Sequence, residues 1–209
     1  MMSETPAFEP FAKIARLNRE TIVTEKIDGT NASVHVLDDG SVLAASRTRW
    51  ITPIDDNHGF ARWVHEHEEE LRVGLGPGAH YGEWWGQGIQ RRYGLTEKRF
   101  SLFNVARWTD DAVRPACCHV VPTLGTLDSL DGGPPLADIL DSLYKNGSAA
   151  APGFKRPEGV VLYHTASGQL FKVTLEDDSS PKSLAACAPN QLLSCVCKRG
   201  TKCCPVEHT

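Results

Sequence analysis

The segment from Glu158 to Thr174, EGVVLYHTASGQLFKVT, constrains the fold most. Two runs of apolar and β-branched residues flank the short polar loop Ala166-Ser167-Gly168. Such a pattern is typical of a β-hairpin, because glycine adopts the positive φ angles that tight turns require. Two strands joined by so short a loop pair antiparallel. The sequence therefore predicts an antiparallel sheet near the end of the chain.

The rest of the chain adds further strands and few helices. Five segments have the alternation or the β-branched content of strands: 20–27, 32–37, 41–45, 79–85 and 100–108. Apolar residues at helical spacing predict helices over 59–72 and around Leu136–Leu143. The stretch 122–135, rich in Pro, Gly and Asp, is predicted to be an irregular connection. Because strands adjoin without regular βαβ alternation, we expect an α+β fold with mainly antiparallel sheets and flanking helices.

Composition excludes several classes of protein. The 209 residues carry 22 Lys plus Arg and 26 Asp plus Glu, a net charge of −4, which argues against a broadly basic nucleic-acid coat but leaves room for a local basic groove. No apolar run approaches about 18 residues, and the N-terminus lacks a long apolar region, so neither a membrane span nor a secretory signal is predicted. Seven cysteines cannot all pair within one chain, which favours a reducing, cytoplasmic location.

The chemistry points to Lys26, within the heptapeptide EKIDGTN that spans 25–31. In an extended strand Lys26 and Asp28 share a face, and Gly29 permits a backbone turn that other residues resist. A lysine at a strand end is placed to attack a phosphorus atom. Its free pKa is about 10.4, so that role requires desolvation, neighbouring cations or a metal ion to favour the neutral amine. The alternative is an ordinary surface lysine in a turn.

Five more segments follow in a set order. They are Ser46-Arg47, YGEWWG over 81–86, FSLFNV over 100–105, EGVV over 158–161 and FKVT over 171–174. Together with EKIDGTN, this series resembles the covalent nucleotidyltransferases, the superfamily of ATP-dependent DNA and RNA ligases and mRNA capping enzymes. Within it the chain looks most like the RNA ligase 2 type, and the resemblance covers about residues 20–175. It implies the ATP-grasp-like nucleotidyltransferase fold.

The resemblance implies roles for the reacting groups. Lys26 would take AMP from ATP as a lysyl phosphoramidate, and Lys172 would neutralise the α-phosphate. Glu158 would help bind a divalent metal, Mg²⁺ or Mn²⁺, as a hard oxygen ligand.

It also implies a nucleotide pocket of five residues. Glu25 and the strand backbone would lie near the adenine edge. Asn31 and Arg47 would hold ribose or phosphate, and the Arg47 guanidinium suits a forked contact with phosphate oxygens. Glu83 would accept a hydrogen bond from a ribose hydroxyl. Phe103 would stack on the purine.

The implied function is an ATP-dependent RNA ligase that joins 5′-phosphate and 3′-hydroxyl RNA ends, with a protein partner as one possible source of RNA specificity. Two departures stand out: Thr174 occupies a position that is usually basic in the family, and Asn104 one that is usually acidic. They keep open a non-catalytic module that binds nucleotides or RNA ends. Another nucleotidyltransferase, a DNA ligase or a capping guanylyltransferase, is a further alternative.

The sequence divides into two parts. We expect a nucleotidyltransferase domain over 1–178 and a cysteine-rich, basic tail over 179–209, which is too short for an oligonucleotide-binding barrel. Five of the seven cysteines lie in that tail. They are interpreted either as zinc ligands or as incidental thiols.

Overall fold

The computed structural model describes residues 9–176, so the cysteine-rich tail lies outside it. The described strands are β1 (Thr21–Lys26), β2 (Thr30–Val36), β3 (Val42–Ser46), β4 (Trp50–Ile51), β5 (Gly78–Gly86), β6 (Lys98–Leu102), β7 (Cys118–Val120), β8 (Thr123–Leu127), β9 (Gly159–His164) and β10 (Gln169–Thr174). The described helices are α1 (Phe60–Glu66), α2 (Glu68–Leu75), α3 (Val105–Trp108) and α4 (Gly133–Asn146).

These strands form two sheets. A four-stranded sheet has the order β10-β9-β1-β8, and a six-stranded sheet has the order β4-β3-β2-β5-β6-β7. Neighbouring strands pair antiparallel, except that β7 runs parallel to β6. The α+β class with mainly antiparallel sheets is therefore confirmed.

Each sheet buries one face under helices. In the four-stranded sheet, Val23, Val160 and Leu162 pack against the apolar stripe of α4. In the six-stranded sheet, the face that carries Val34 and Phe100 packs against α1 and α2. The other faces carry half-buried and polar residues, and the candidate site lies on these.

A third apolar cluster joins the two sheets. It contains Ile27, Trp85, Tyr93, Val121 and Ala151, with Ile27 in the short link between β1 and β2. All five side chains are buried. The cluster therefore fixes the point where the chain leaves one sheet and enters the other.

Three predicted boundaries were wrong. The helix expected over 59–72 is divided at His67, whose ring Nδ1 lies 2.8 Å from the Trp63 carbonyl oxygen. The strand expected to reach 108 ends at Leu102, because the Asn104 side chain accepts a hydrogen bond from the Arg107 N–H and caps α3. The connection over 122–135 contains β8, which pairs with β1.

Among the described helices, none combines the length and the apolar character needed to cross a bilayer.

Gly159 offers a test of the backbone geometry beside β10. Its φ is +153°, and a Cβ there would lie 2.2 Å from the Val173 carbonyl oxygen. We expect Gly159→Ala to lower the free energy of unfolding by about 2 kcal/mol or more, because neighbouring backbone must move.

The control for Gly159→Ala is Gly168→Ala, in the turn of the same hairpin. Gly168 has φ +67°, and a Cβ there would have no other atom within 4 Å, so only the left-handed strain of about 1 kcal/mol applies. Urea unfolding followed by tryptophan fluorescence measures both. Equal losses in the two variants would contradict the steric argument.

Candidate active site

Lys26 and Glu158 form the centre of the site. Lys26 ends β1 and pairs with Gly159 of β9, which brings the preceding residue, Glu158, alongside it. The Lys26 Nζ donates a hydrogen bond to Glu158 Oε2 at 2.6 Å. The Lys26 side chain is 25% exposed and that of Glu158 only 8%. The amine is thus held by a nearly buried carboxylate, yet solvent and a ligand can reach it.

Strand register places Lys172 on the same face as Lys26. Thr24, Val161 and Lys172 form one row across β1, β9 and β10, and Lys26, Gly159 and Thr174 form the next row. Directly paired residues of an antiparallel sheet share a face, as do residues two apart on one strand. The two lysine Cα atoms are then about 12 Å apart, from two strand spacings and two residue rises. A phosphate bound between them is within reach of both amines.

Glu83 is a second buried acid near Lys26. It lies on β5 opposite Asn31 of β2 and Ser101 of β6, and its Oε1 accepts a hydrogen bond from the Gly29 N–H at 3.0 Å. Burial raises the pKa of Glu83 to about 7, although the Gly29 hydrogen bond and the Lys26 charge oppose this rise. Near neutral pH the carboxyl therefore exchanges between its protonated and its ionised form.

A glycine is required at position 29 because the backbone passes close to β5. The special backbone turn expected from the sequence is not the reason. A Cβ at Gly29 would lie 2.5 Å from the Trp84 carbonyl oxygen and 2.7 Å from the Trp85 Cβ. Its φ is not among the positive values of the described chain. The missing side chain lets the link between β1 and β2 pass against β5, where the Gly29 N–H reaches Glu83.

Asp28 is held by Arg91 and Tyr93, two contacts that the sequence did not predict. Arg91 Nε donates to Asp28 Oδ2 at 2.9 Å, and its Nη1 donates to the Arg156 carbonyl oxygen at 3.1 Å. The Tyr93 hydroxyl accepts the Asp28 N–H at 2.7 Å. Arg92 and Tyr93 both have positive φ, at 59° and 51°. Such conformations are costly for residues other than glycine, so this loop is shaped to reach Asp28.

Asn31 and Phe103 share the face that carries Glu83. Phe103 directly follows β6, its N–H donates to the Tyr81 carbonyl oxygen, and its side chain is 41% exposed. Asn31 is exposed beside Glu83. Arg47 is exposed in the turn after β3, two residues beyond Ala45, which lies on this same face.

Glu25 lies on the opposite face from Lys26. It pairs with Val160 and is buried, with Oε2 accepting hydrogen bonds from the Ala149 and Ala150 N–H groups at 2.8 Å. Burial raises the pKa of this carboxyl, and within the described residues its Oε1 has no hydrogen-bond partner. The structure therefore does not bring the Glu25 side chain to the lysine face. The sequence carried a signal for this, because alternation along β1 places Thr24 on the face of Lys26 and Glu25 on the opposite face.

The two sheets, the paired Lys26 and the acids around it define a nucleotidyltransferase-type domain. The RNA ligase family model matches residues 19–174. The chain belongs to the RNA ligase family.

Solved structures of RNA ligase from Naegleria gruberi share the fold. A mutant with ATP and Mn is 21% identical with a TM-score of 0.55, covering 75% of this chain and 49% of that chain. A mutant with AMP and Mn is 18% identical with a TM-score of 0.58, covering 76% and 50%. The ligase with PPi is 20% identical with a TM-score of 0.53, covering 81% and 57%.

The chain thus spans about half the length of these solved structures. At this level of identity the likeness shows the fold. No curated protein matches the chain significantly.

The raised pKa of Glu83 predicts a pH dependence of stability. Between its ordinary value of 4.5 and about 7, the folded protein holds a proton that the unfolded chain has released. The Glu83 contribution to the free energy of unfolding therefore falls as pH rises through this window. Relative to Glu83→Gln, the parent protein should lose about 2–3 kcal/mol between pH of about 5 and about 8. Urea unfolding of both proteins across this range measures the difference, and parallel pH profiles would refute it.

Proposed function

We propose that this chain is an ATP-dependent RNA ligase that works through a covalent lysyl-AMP intermediate. The observation that carries the proposal is the Lys26 amine, held 2.6 Å from Glu158 on the sheet face that also carries Lys172. Membership of the RNA ligase family supports the reaction class.

In the first step the neutral Lys26 amine attacks the α-phosphorus of ATP. A nitrogen–phosphorus bond forms, the bond from the α-phosphorus to the bridging oxygen breaks, and pyrophosphate leaves with that electron pair. The Lys26 ammonium must first lose a proton to water, and positive charge nearby, such as that of Lys172, favours this loss. Lys172 offsets the negative charge that develops on the phosphate oxygens. Such transfers depend mainly on placement and on neutralisation of charge.

The nucleotide contacts follow the placement of the side chains. Phe103 stacks on the purine, and Glu83 binds a ribose hydroxyl as donor or acceptor. Asn31 and Arg47 contact ribose or phosphate. For Glu25 the contact with the adenine edge comes from the strand backbone, because its side chain binds the loop on the other face.

A divalent ion, Mg²⁺ or Mn²⁺, fits the donors of the site. Among residues 9–176 no three His, Cys, Asp or Glu side chains gather as a ready-made metal cage. Mg²⁺ commonly binds through one or two carboxylates together with substrate phosphates and water. Glu158 is such a carboxylate, with Glu83 as the nearby second acid. The ion would add positive charge at the phosphates.

The later steps define the partners. AMP passes from Lys26 to a 5′-phosphate RNA end, and a 3′-hydroxyl then attacks that phosphate and releases AMP. A protein partner could add RNA specificity. Cys117 and Cys118, free thiols in the structure, fit the proposed reducing cytoplasmic location.

The decisive test is an AMP adduct on Lys26. Intact mass spectrometry after incubation with ATP and Mg²⁺ or Mn²⁺ should show the adduct in the parent chain and none in Lys26→Arg. Arginine preserves the positive charge beside Glu158, but its guanidinium stays protonated and does not attack phosphorus. Lys145→Arg is the matched control, since Lys145 also pairs with a carboxylate, that of Asp141 on α4.

Three results discriminate the alternatives. An adduct that survives Lys26→Arg would move the nucleophile elsewhere. Adduct formation with GTP in place of ATP would favour a capping-type enzyme. ATP binding without any adduct, across pH and metals, would favour the non-catalytic module.

Thr174 provides a gain-of-function test. It lies in the row of Lys26 and Gly159, on the same face, and Gly159 has no side chain to separate them. A lysine there adds a second cation to the phosphate region. We expect Thr174→Lys to raise the rate of adduct formation about tenfold or more, measured by quenched-flow mass spectrometry. Thr174→Gln, of similar length without the charge, should leave the rate near the parent value, and an equal rise in both would refute a charge effect.

A further inference from the structure

A row of aromatic rings extends away from the nucleotide pocket across the open face of the six-stranded sheet. Trp50, Ala45, Ser33 and Tyr81 are neighbours across β4, β3, β2 and β5, and Phe103 bonds to the backbone of Tyr81. All of them point to the face that carries Glu83. The aromatic row consists of Phe103, Tyr81, His35 and Trp50.

Three rings of the row, those of Trp50, His35 and Tyr81, contact one another in series, and the row remains open to solvent. The His35 ring lies edge-on to Trp50, with centroids 4.7 Å apart, and edge-on to Tyr81, with centroids 6.1 Å apart. The exposed fractions are 56% for Trp50 and 60% for Tyr81. Single exposed apolar residues are ordinary, but a contiguous row of this kind marks a binding surface.

The charge of this face suits an anionic partner. Among the strand residues of the described sheet that point to it, Glu83 at the pocket end is the single acid. Arg47 is exposed on the turn that leads into Trp50, whereas Arg49 on the same turn is paired with the Asp55 carboxylate. Burial lowers the pKa of His35, so its imidazole is a neutral stacking surface.

We propose that the aromatic row binds unpaired nucleotides of the RNA substrate by base stacking. This inference rests on the proposed function and names the substrate segment that lies beside the pocket. Aromatic side chains on open sheets stack with unpaired bases, and because every base has a flat face such binding tolerates many sequences. The row begins at Phe103, where the RNA end must meet AMP, so an RNA strand that leaves the pocket passes over Tyr81, His35 and Trp50.

The first experiment measures RNA affinity directly. The full 209-residue chain is titrated into a short fluorescent oligouridylate without ATP, and anisotropy gives the dissociation constant. We expect Trp50→Ala to weaken binding about fivefold to 100-fold, the range for loss of one stacked base, and Trp50→Phe to retain most of the affinity. The matched control is Tyr144→Ala, which removes a 54% exposed ring from α4 and should leave binding unchanged.

Two further readouts separate stacking from a structural effect. Trp50→Ala should keep the parent slope of log affinity against log salt, because no cation–phosphate contact is lost. Cross-linking of an oligonucleotide that contains 4-thiouridine should label peptides with Trp50 or Tyr81. Circular dichroism of Trp50→Phe and Trp50→Ala establishes that both variants are folded.

Several outcomes would overturn the inference. They are equal affinities of Trp50→Ala and Tyr144→Ala, cross-links confined to other surfaces, no RNA binding by the parent chain, or a parent dimer that Trp50→Ala dissociates while RNA binding persists. Failure of the proposed function is separately visible as the absence of an AMP adduct on Lys26. RNA binding that depends on Trp50 in a chain that forms no adduct would leave the aromatic row standing as part of a non-catalytic module.

Discussion

The site depends on the passage of the backbone from one sheet to the other within residues 27–29. Ile27 is buried in the cluster between the sheets, the Asp28 N–H donates to Tyr93, and the Gly29 N–H donates to Glu83. These contacts leave the link little freedom. Because Lys26 ends β1 immediately before the link, its direction is set by the same contacts. The position of the proposed nucleophile is thus a consequence of how the two sheets are joined.

The three acids around this link are each stabilised in a different way. The Asp28 carboxylate is paired with Arg91, and the Glu158 carboxylate with Lys26. Glu83 has a backbone N–H donor in place of a cationic partner of its own, and it lies near both other acids. Burial is the main cause that raises the pKa of Glu83 to about 7, and the negative charges of Glu158 and Asp28 add to the rise. A ligand that brings positive charge, or a hydroxyl donor, would favour its ionised form.

Sequence periodicity predicted the strands and helices whose formation depends on the local pattern of apolar residues. The hairpin of β9 and β10, the strand that ends at Lys26 and the helix near Leu136–Leu143 are all present. Burial alternates along β1, and the apolar residues of α4 recur at helical spacing. The same alternation bears on Glu25, which adjoins Lys26 in sequence and therefore points to the other face. The family resemblance assigned Glu25 a role near the adenine edge, but it did not distinguish a contact of the side chain from one of the backbone.

What could not be predicted depends on distant contacts. Arg91 and Tyr93 reach Asp28 across more than sixty residues of chain, through a loop with positive φ angles that no propensity favours. β8 becomes a strand by pairing with β1, although its own composition indicates a loop. Gly29 is needed because β5 passes close by, a fact of packing and not of its local backbone.

The two faces of the six-stranded sheet show how one set of strands supports both stability and binding. Phe100 points under α1 and α2 and is fully buried, whereas Phe103, three residues later, is on the open side. Covering the open side with a helix would bury Tyr81 and Trp50 and add apolar stability, but it would also close the approach to Glu83 and Phe103. Because the open face beside the pocket is not covered, the sheet is stabilised by its other face. There, aromatic rings pack against one another under the helices. The exposed rings are then available to a flat, anionic ligand that arrives along the same face.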